Sequence, residues 1–544
     1  MKPSFRPHAA FKFGAIALAA ALSLTACGGD AGASGGKSAG TTLLIGTTSD
    51  VSDFAPLNSV SVTDRWVMNQ MYPPLFRAET DGSLLPIAAK SATVGKDGKT
   101  VKVVLNDEFD WSDGTKLTAN DLKFTLERFE TDKLLQGAAL IKNFASAKVD
   151  SPTELTITMK SPSYTWMQDL MRTVSILPEH VFKDVDNVSK HPLDAHPEHW
   201  VSAGSFTLAG VTKGQRYHFK RNEAYPLSAE GNEKISDIEF RVYQDINTMQ
   251  LALQTGDLDV AAQSVPSSAV SALETKPNIK VDEVAESVSL SKLTFNVKSE
   301  PLSSPAVRQA ISGLVDSQEI LDKVVQGRGT YEVGPILPLF KDFQLDGINP
   351  WKSTPEEAKK TFAEEGLNDS DGDGYYDGVD LKILCDLGNA NHAKAAQVIH
   401  DDLDTVGVKT TIACSDRATS LTAAKAGKFD LYVHKITQSY GPTTNIVVQF
   451  DSSNPSGANY NFGSDTELDT LIRNATSAID EPSNIEATKI AGKDIHNKAL
   501  MVPLYVESMN YAWNTKRFDG YIPAVVETNG IIDSYSLSQV VPSS

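Results

Sequence analysis

Phe109-Asp110-Trp111-Ser112-Asp113-Gly114-Thr115-Lys116-Leu117-Thr118-Ala119-Asn120-Asp121-Leu122 is the stretch whose reading decides the fold. Asp113-Gly114 is a turn pair, because glycine takes up a positive φ without a Cβ clash. Thr118 and Asp121 stand at capping-box spacing ahead of Leu122, Leu126 and Phe129, which share one helical face. Trp111 therefore reads as the apolar side of a packed turn rather than as a ligand contact. Upstream, Asp97-Gly98 lies between two runs of β character, residues 91–94 and 100–105, and predicts a hairpin closed by a type I′ turn.

Further motifs follow in order: Ile176-Leu177-Pro178-Glu179-His180-Val181, then residues 251–260 with Gly256 and Asp259, then Leu293-Thr294-Phe295-Asn296 and Val307-Arg308-Gln309-Ala310-Ile311. With the opening stretch they resemble the W-S-D-G-x-x-L-T-A-x-D-V, I-L-P-x-H-V, L-x-x-G-x-x-D-V, F-N and V-R-Q-A-I segments of the family 5 extracellular solute-binding proteins of bacterial ABC importers, the peptide- and nickel-binding family. The resemblance covers nearly all of residues 43–520. Two segments depart from it: the family's G-T-G-P-Y is Ala203-Gly204-Ser205-Phe206 here, and its Y-E-G-L is Tyr72-Pro73-Pro74-Leu75. Neither departure removes a reactive group.

The resemblance implies an α/β, two-lobe, periplasmic-binding-protein-like fold of type II, in the large three-subdomain form with a hinge. On that reading residues 43–65, 190–285 and 511–544 form the core of lobe I, 66–189 its accessory subdomain and 286–510 lobe II. The chain is expected to cross between lobes near 286–292 and 503–511.

Composition agrees with a soluble body. The 544 residues are 41% hydrophobic and 22% charged, enough for two to four domains with substantial cores. Net charge is −19 with no basic block, which excludes nucleic acid as a partner. Lys2, Arg6 and Lys12 flank an apolar run, residues 13–24, that is too short to span a bilayer and reads as a secretory signal. It ends in Leu24-Thr25-Ala26-Cys27, which resembles the bacterial lipobox: residues 1–26 are expected to be removed and Cys27 to carry the lipid. Loss of those three cations and no acid leaves −22. Residues 27–42 are mostly Gly, Ala, Ser and Thr, a flexible tether with a reach of roughly 20 Å. The expected location is the outer face of the cytoplasmic membrane, anchored by lipid.

Cys385 and Cys414 remain. Residues 381–385 and 408–414 read as strands around a helix carrying Ala395, Ile399, Leu403 and Val406, a βαβ unit that can bring both cysteines to neighbouring strand ends. A disulfide is expected, with two buried thiols as the alternative.

No enzyme is expected: the chain lacks H-E-x-x-H, a P-loop, a dinucleotide fingerprint and a working nucleophile elbow. Asp369-Ser370-Asp371-Gly372-Asp373-Gly374-Tyr375-Tyr376-Asp377-Gly378-Val379-Asp380 matches an EF-hand loop at most ligand positions, so Asp369, Asp371, Asp373, Tyr375 and Asp380 are candidate ligands of a structural Ca²⁺; the alternative is a polar surface turn. No other cofactor is called for. His180, His191, His196 and His199 are close in sequence, but Pro192 and Pro197 interrupt them and no cysteine or fixed carboxylate completes a set, which favours a solvated loop over a metal centre.

Family analogy places the solute between the lobes, against the loop that holds Ser49 and Asp50 and the loop after residues 429–435. Lys435, Gln438, Ser439, Tyr440 and Asn445 are the candidate contacts there, with Lys435 and Tyr440 on the same ligand. The strand before them alternates Leu431 and Val433 with Tyr432 and His434, predicting one buried face. Peptide binders of the family commonly hold the ligand ammonium on an aspartate in this second loop, yet residues 436–450 contain no Asp or Glu. The expected function is capture of a polar solute and delivery to an ABC permease by a monomeric binding protein. An oligopeptide comes first; a nickel or other metal chelate, an opine or an oligosaccharide, or an envelope sensor lipoprotein that kept the fold, are the alternatives. Tyr440-Gly441-Pro442 resembles the Y/W-G-x-P stretch of nickel-chelate binders.

Overall fold

Two β-sheets carry the architecture, and the chain passes between them twice. The computed structural model describes residues 42–544 except 139, 388, 439, 455–457, 527–529 and 544. The signal segment, Cys27, the tether up to residue 41 and Ser439 lie outside the described residues.

The first sheet has seven strands, in spatial order Ile279–Val284, Met509–Asn514, Val260–Ala261, Thr42–Thr47, Asp237–Val242, Arg216–Arg221 and Phe206–Thr212. Thr42–Thr47 runs parallel to both of its neighbours. The second sheet has six: Gly329–Thr330, Met501–Glu507, Ser289–Phe295, Leu431–Thr437, Asp380–Asp386 and Lys409–Ser415. Ile279–Val284 of the first sheet is followed by Ser289–Phe295 of the second, and Met501–Glu507 of the second by Met509–Asn514 of the first. The crossings are therefore residues 285–288 and Ser508. They run side by side, because Ile279–Val284 and Met509–Asn514 pair antiparallel from Ile279↔Asn514 to Val284↔Met509. Two adjacent single-strand connections between rigid sheets form a hinge.

An antiparallel four-stranded sheet, ordered Ala89–Val94, Thr100–Leu105, Glu154–Met159 and Phe144–Ser151, makes the accessory part. Val101, Val103 and Leu105 point inward while Lys102 is exposed, the period-2 pattern of a half-buried strand. Helix Ala119–Thr131 buries Leu122, Leu126 and Phe129, and its Thr118/Asp121 capping box is formed. The turn before it is built as its residues require: Trp111 N–H donates to Thr115 O at 2.7 Å, Gly114 has φ of 87° and Trp111 is fully buried. His180, from a motif 67 residues on, closes the turn with Nε2 2.7 Å from Asp113 Oδ2.

Two local readings are corrected. The 94–100 connection is a hairpin, but only Gly98 has a positive φ (65°), and Gly98 N–H donates to Gly95 O at 2.9 Å. A five-residue loop is long enough for an ordinary turn followed by one left-handed glycine, so the I′ geometry is not needed. Strand Leu431–Thr437 buries Tyr432 and His434 as well as Leu431 and Val433. It is a central strand covered on both faces, so side-chain alternation carries no polarity signal.

In the second sheet Asp380–Asp386 and Lys409–Ser415 are parallel neighbours joined by helix Ala390–Asp404. Cys385 and Cys414 are register partners with Cα atoms 4.4 Å apart and are joined as a disulfide. The largest apolar cluster runs from the first lobe into helices Pro442–Phe450, Thr466–Thr476 and Glu481–Asn497 of the second, through Ile446, Ile472 and Ile495. Polar contacts accompany it: Ser163 Oγ donates to Thr476 O at 2.8 Å and Asn484 Nδ2 to Thr165 Oγ1 at 2.8 Å. The lobes are in contact.

Candidate functional site

Helix Tyr164–Thr173 builds the first-lobe wall of the cleft. Ser163 caps it by accepting from Trp166 N–H at 3.2 Å. Trp166, Asp169 and Arg172 follow at spacings of three, which keeps them near one face. The opposing wall is the loop that enters helix Pro442–Phe450, where Pro442 presets the first helical turn. Asp169 bridges the two: Oδ1 accepts from Gly441 N–H at 3.2 Å and Oδ2 from the Thr444 hydroxyl at 2.6 Å. Burial pushes the Asp169 carboxyl up to about 7, against the opposing pull of these donors and of Arg172.

A groove of about 560 Å³ lies along this contact, with Trp166, Asp169, Tyr440, Thr444 and Lys142 among its walls. Tyr440 is half-buried, and its carbonyl accepts from Asn445 Nδ2 at 3.0 Å. Beside the groove a smaller enclosed cavity, about 50 Å³, is lined by Arg65, Arg172, Asn69, Gln136 and Tyr535. Arg65 stands on helix Val62–Met68, fixed by a Ser61/Asp64 capping box. Burial lowers the Arg65 guanidinium pKa, and the Tyr440 phenol across the cleft is the charge that opposes this. Arg172 is lowered in the same way, opposed by Asp169 and Tyr164, and sits 5.3 Å above the Phe340 ring. Among the described residues no carboxylate lies within ion-pair distance of Arg65 or Arg172, whereas Arg77 in the same wall is paired with Glu79 at 2.6 Å and Asp533 at 2.9 Å. The acid and the two aromatic walls belong to the groove, and the two half-buried arginines to the smaller cavity; together they make a polar, cation-bearing surround.

The sequence-expected contacts separate. Tyr440 lines the groove, with Asn445 behind it. Gln438 is buried and donates through its backbone to Val288 O at 2.7 Å, beside the crossing rather than in the groove. Lys435 does not reach the groove: it lines a different cavity at the hinge and stands 3.6 Å from Glu507, whose Oε1 also accepts from Asn389 at 2.6 Å. In this structure Lys435 and Tyr440, expected on one ligand, line different cavities. Ser49 and Asp50 are exposed, and Asp50 accepts from Val51 N–H at 3.0 Å and from the Tyr217 hydroxyl, so neither faces the groove.

In the acidic loop Asp369, Asp371 and Asp373 gather carboxylate oxygens within 4.8 Å of one another. Asp369 accepts from Gly372 and Gly374 N–H at 2.7 and 3.0 Å, and Asp373 from Tyr375 N–H at 2.9 Å. Asp380 is not with them: it opens a strand and accepts from Thr411 Oγ1 at 3.0 Å, while the Tyr375 hydroxyl donates to Asp404 at 2.8 Å. The twelfth EF-hand position is thus spent on the sheet, and the loop stands as a hydrogen-bonded turn with three convergent acids.

Arg65, Asp169 and Arg172 escaped sequence reasoning. The available signal was Asp169-x-x-Arg172 on a helix whose apolar residues already had partners, which leaves its charges to face something other than core.

Comparison with known proteins extends this picture. A profile described as bacterial extracellular solute-binding proteins, family 5 Middle, matches residues 83–458. The glutathione-binding protein GsiB of Shigella flexneri serotype 5b is 23% identical over 490 residues, 88% of this chain and 91% of that protein. The ABC transporter substrate-binding protein CtaP of Listeria monocytogenes superposes with a TM-score of 0.81 at 20% identity, over 93% of this chain and 100% of that one. The oligopeptide-binding protein AppA of Bacillus subtilis, in complex with a nonapeptide, gives 0.71 at 20% identity over 93% and 99%. NikZ of Campylobacter jejuni, in complex with Ni(L-His), gives 0.75 at 19% identity over 92% and 99%.

Proposed function

The chain belongs to the bacterial extracellular solute-binding proteins of family 5, and on that premise we propose that it captures a carboxylate-bearing polar solute, an oligopeptide first, between its lobes for an ABC permease. The observation that carries this reading is the pair Arg65 and Arg172, half-buried beside the cleft with no carboxylate within ion-pair distance among the described residues. A desolvated guanidinium costs free energy unless an anion reaches it, and a ligand carboxylate can accept two parallel hydrogen bonds from it. Glutathione and a nonapeptide, which two of the similar proteins bind, both present free carboxylates. Tyr440 and Trp166 supply stacking area, and Asp169 offers an acceptor for an ammonium on the wall opposite the loop where the family commonly keeps one.

Capture works by closure. Asp169 meets Gly441 and Thr444 only when the lobes are together, so closing has its own contacts before solute arrives. Solute shifts the balance only through contacts it makes in the closed form and lacks in the open one. The protein works as a monomer held on the outer face of the membrane by lipid on Cys27 and changes no bond in its cargo. A metal chelate or an opine is the second reading, because Tyr440-Gly441-Pro442 leads into the helix that meets Asp169 and such ligands also carry carboxylates.

Native mass spectrometry of protein purified from its own host tests the reading. A retained solute of a few hundred daltons that carries a carboxylate, and is lost from Arg172→Met, is expected. Retention of a neutral sugar, or equal retention by the variant, contradicts it.

A further inference from the structure

His191, His196 and His199 lie on a first-lobe segment that has no part in the interlobe groove. It consists of short 3₁₀ turns, Val188–Lys190, Leu193–Ala195 and Pro197–His199. The two prolines that interrupt any longer helix fold the three imidazoles back onto one another. His191 Nε2 is 2.7 Å from His199 Nδ1, the His191 and His196 rings stack with centroids 3.7 Å apart, and one nitrogen from each ring lies within 4.8 Å of the other two.

We propose that His191, His196 and His199 form a binding site for a borderline first-row divalent cation, zinc in the first place, separate from the solute cleft.

Imidazole nitrogen suits Zn²⁺, Ni²⁺ and Cu²⁺ and is a poor donor for Ca²⁺ or Mg²⁺. Two nitrogens on one tetrahedral zinc, each about 2.0–2.1 Å from it, are roughly 3.3 Å apart, so small ring rotations bring these three into range. The surroundings hold the rings for that role. Glu198 Oε1 is 3.1 Å from His196 Nδ1, an outer carboxylate that orients the ring. Phe182 meets His191 and His199 edge-on at 6.1 and 5.8 Å. Trp200 Nε1 donates to Leu193 O at 2.7 Å, Leu193 N–H to Phe54 O at 3.1 Å, and Lys213 pairs with Asp194 at 2.6 Å, so the backbone between the ligands is tied to the lobe. Three protein nitrogens leave the remaining coordination position to water.

The test is calorimetric titration of zinc into the chelator-stripped, untagged mature protein, with millimolar calcium present to occupy oxygen sites. One zinc per chain is expected, weakened by about tenfold or more in His191→Gln and in His196→Gln and unchanged in His180→Gln. Cobalt substitution of the wild type gives a second readout that needs no variant: visible absorption bands of a nitrogen-ligated, four-coordinate ion. Absence of zinc uptake at millimolar metal, equal affinity in the His191 and His196 variants, or a cobalt spectrum of the six-coordinate aquo type would each overturn the assignment.

Discussion

Asp169 of the first lobe and Gly441 of the second meet across the cleft, carboxylate to backbone N–H at 3.2 Å, with the Thr444 hydroxyl on the other carboxylate oxygen at 2.6 Å. The loop on the second-lobe side has no acid of its own; the acid comes from the opposite wall. It therefore reports closure, since parting the lobes removes both donors and returns the carboxylate to water.

Closure should depend on pH in a defined direction. The Asp169 carboxyl lies near 4 when solvated and is pushed up to about 7 when buried in the closed form. Below both values it is protonated in either form and makes no difference. As pH rises from about 4 to 7 the open form gives up its proton first, so closing becomes costlier, by up to about 4 kcal/mol on the order-of-magnitude scale of three pKa units. Solute-free protein is thus more compact at pH 5 than at pH 8 by small-angle scattering, and Asp169→Asn abolishes the difference.

The arginines should carry affinity and Lys435 should not. Arg65→Met and Arg172→Met each weaken solute binding by about 10- to 100-fold, the scale of a lost charge-assisted hydrogen bond. Lys435→Met leaves affinity unchanged, because that ammonium is spent on Glu507. Calorimetry on the three variants separates these outcomes.

Tyr440→Ala should cost about 1 to 3 kcal/mol of binding, the scale of a buried aromatic contact, while the melting temperature changes little. Unaltered affinity in the same titration would move the solute away from this groove.

How much of this was legible in the sequence follows from range. The Thr118/Asp121 cap, the Asp113-Gly114 turn and the βαβ unit around Cys385 and Cys414 rest on neighbours a few residues apart or on one right-handed crossover, and composition states them directly. The hairpin at Gly98 was legible as a hairpin, while its turn type depended on a loop length set by strand pairing. Tyr432 and His434 were misread because burial on both faces erases the alternation. Arg65, Asp169 and Arg172 acquire their meaning from the other lobe, through Tyr440, Gly441 and Phe340, and no local pattern encodes a partner more than 160 residues away. The prolines at 192 and 197 were read as breakers, which they are; breaking the helix is also what gathers the three histidines.

Replacing Cys385 and Cys414 by serine should lower stability by about 3 to 4 kcal/mol, the chain-entropy scale for a loop of about 30 residues, with solute affinity retained because neither cysteine lines the groove. Urea unfolding under oxidising and reducing conditions measures it, and an unchanged midpoint would deny the bridge a stabilising role.

Small-angle scattering of the mature protein with and without the solute identified by mass spectrometry tests the central claim most directly. Lobe closure around the solute predicts a smaller radius of gyration at saturation, at a pH near 8 where the solute-free form is most open, and no such change in Arg65→Met/Arg172→Met at the same concentration. A solute that raises the melting temperature of the wild type while leaving its radius of gyration unchanged would contradict capture by closure.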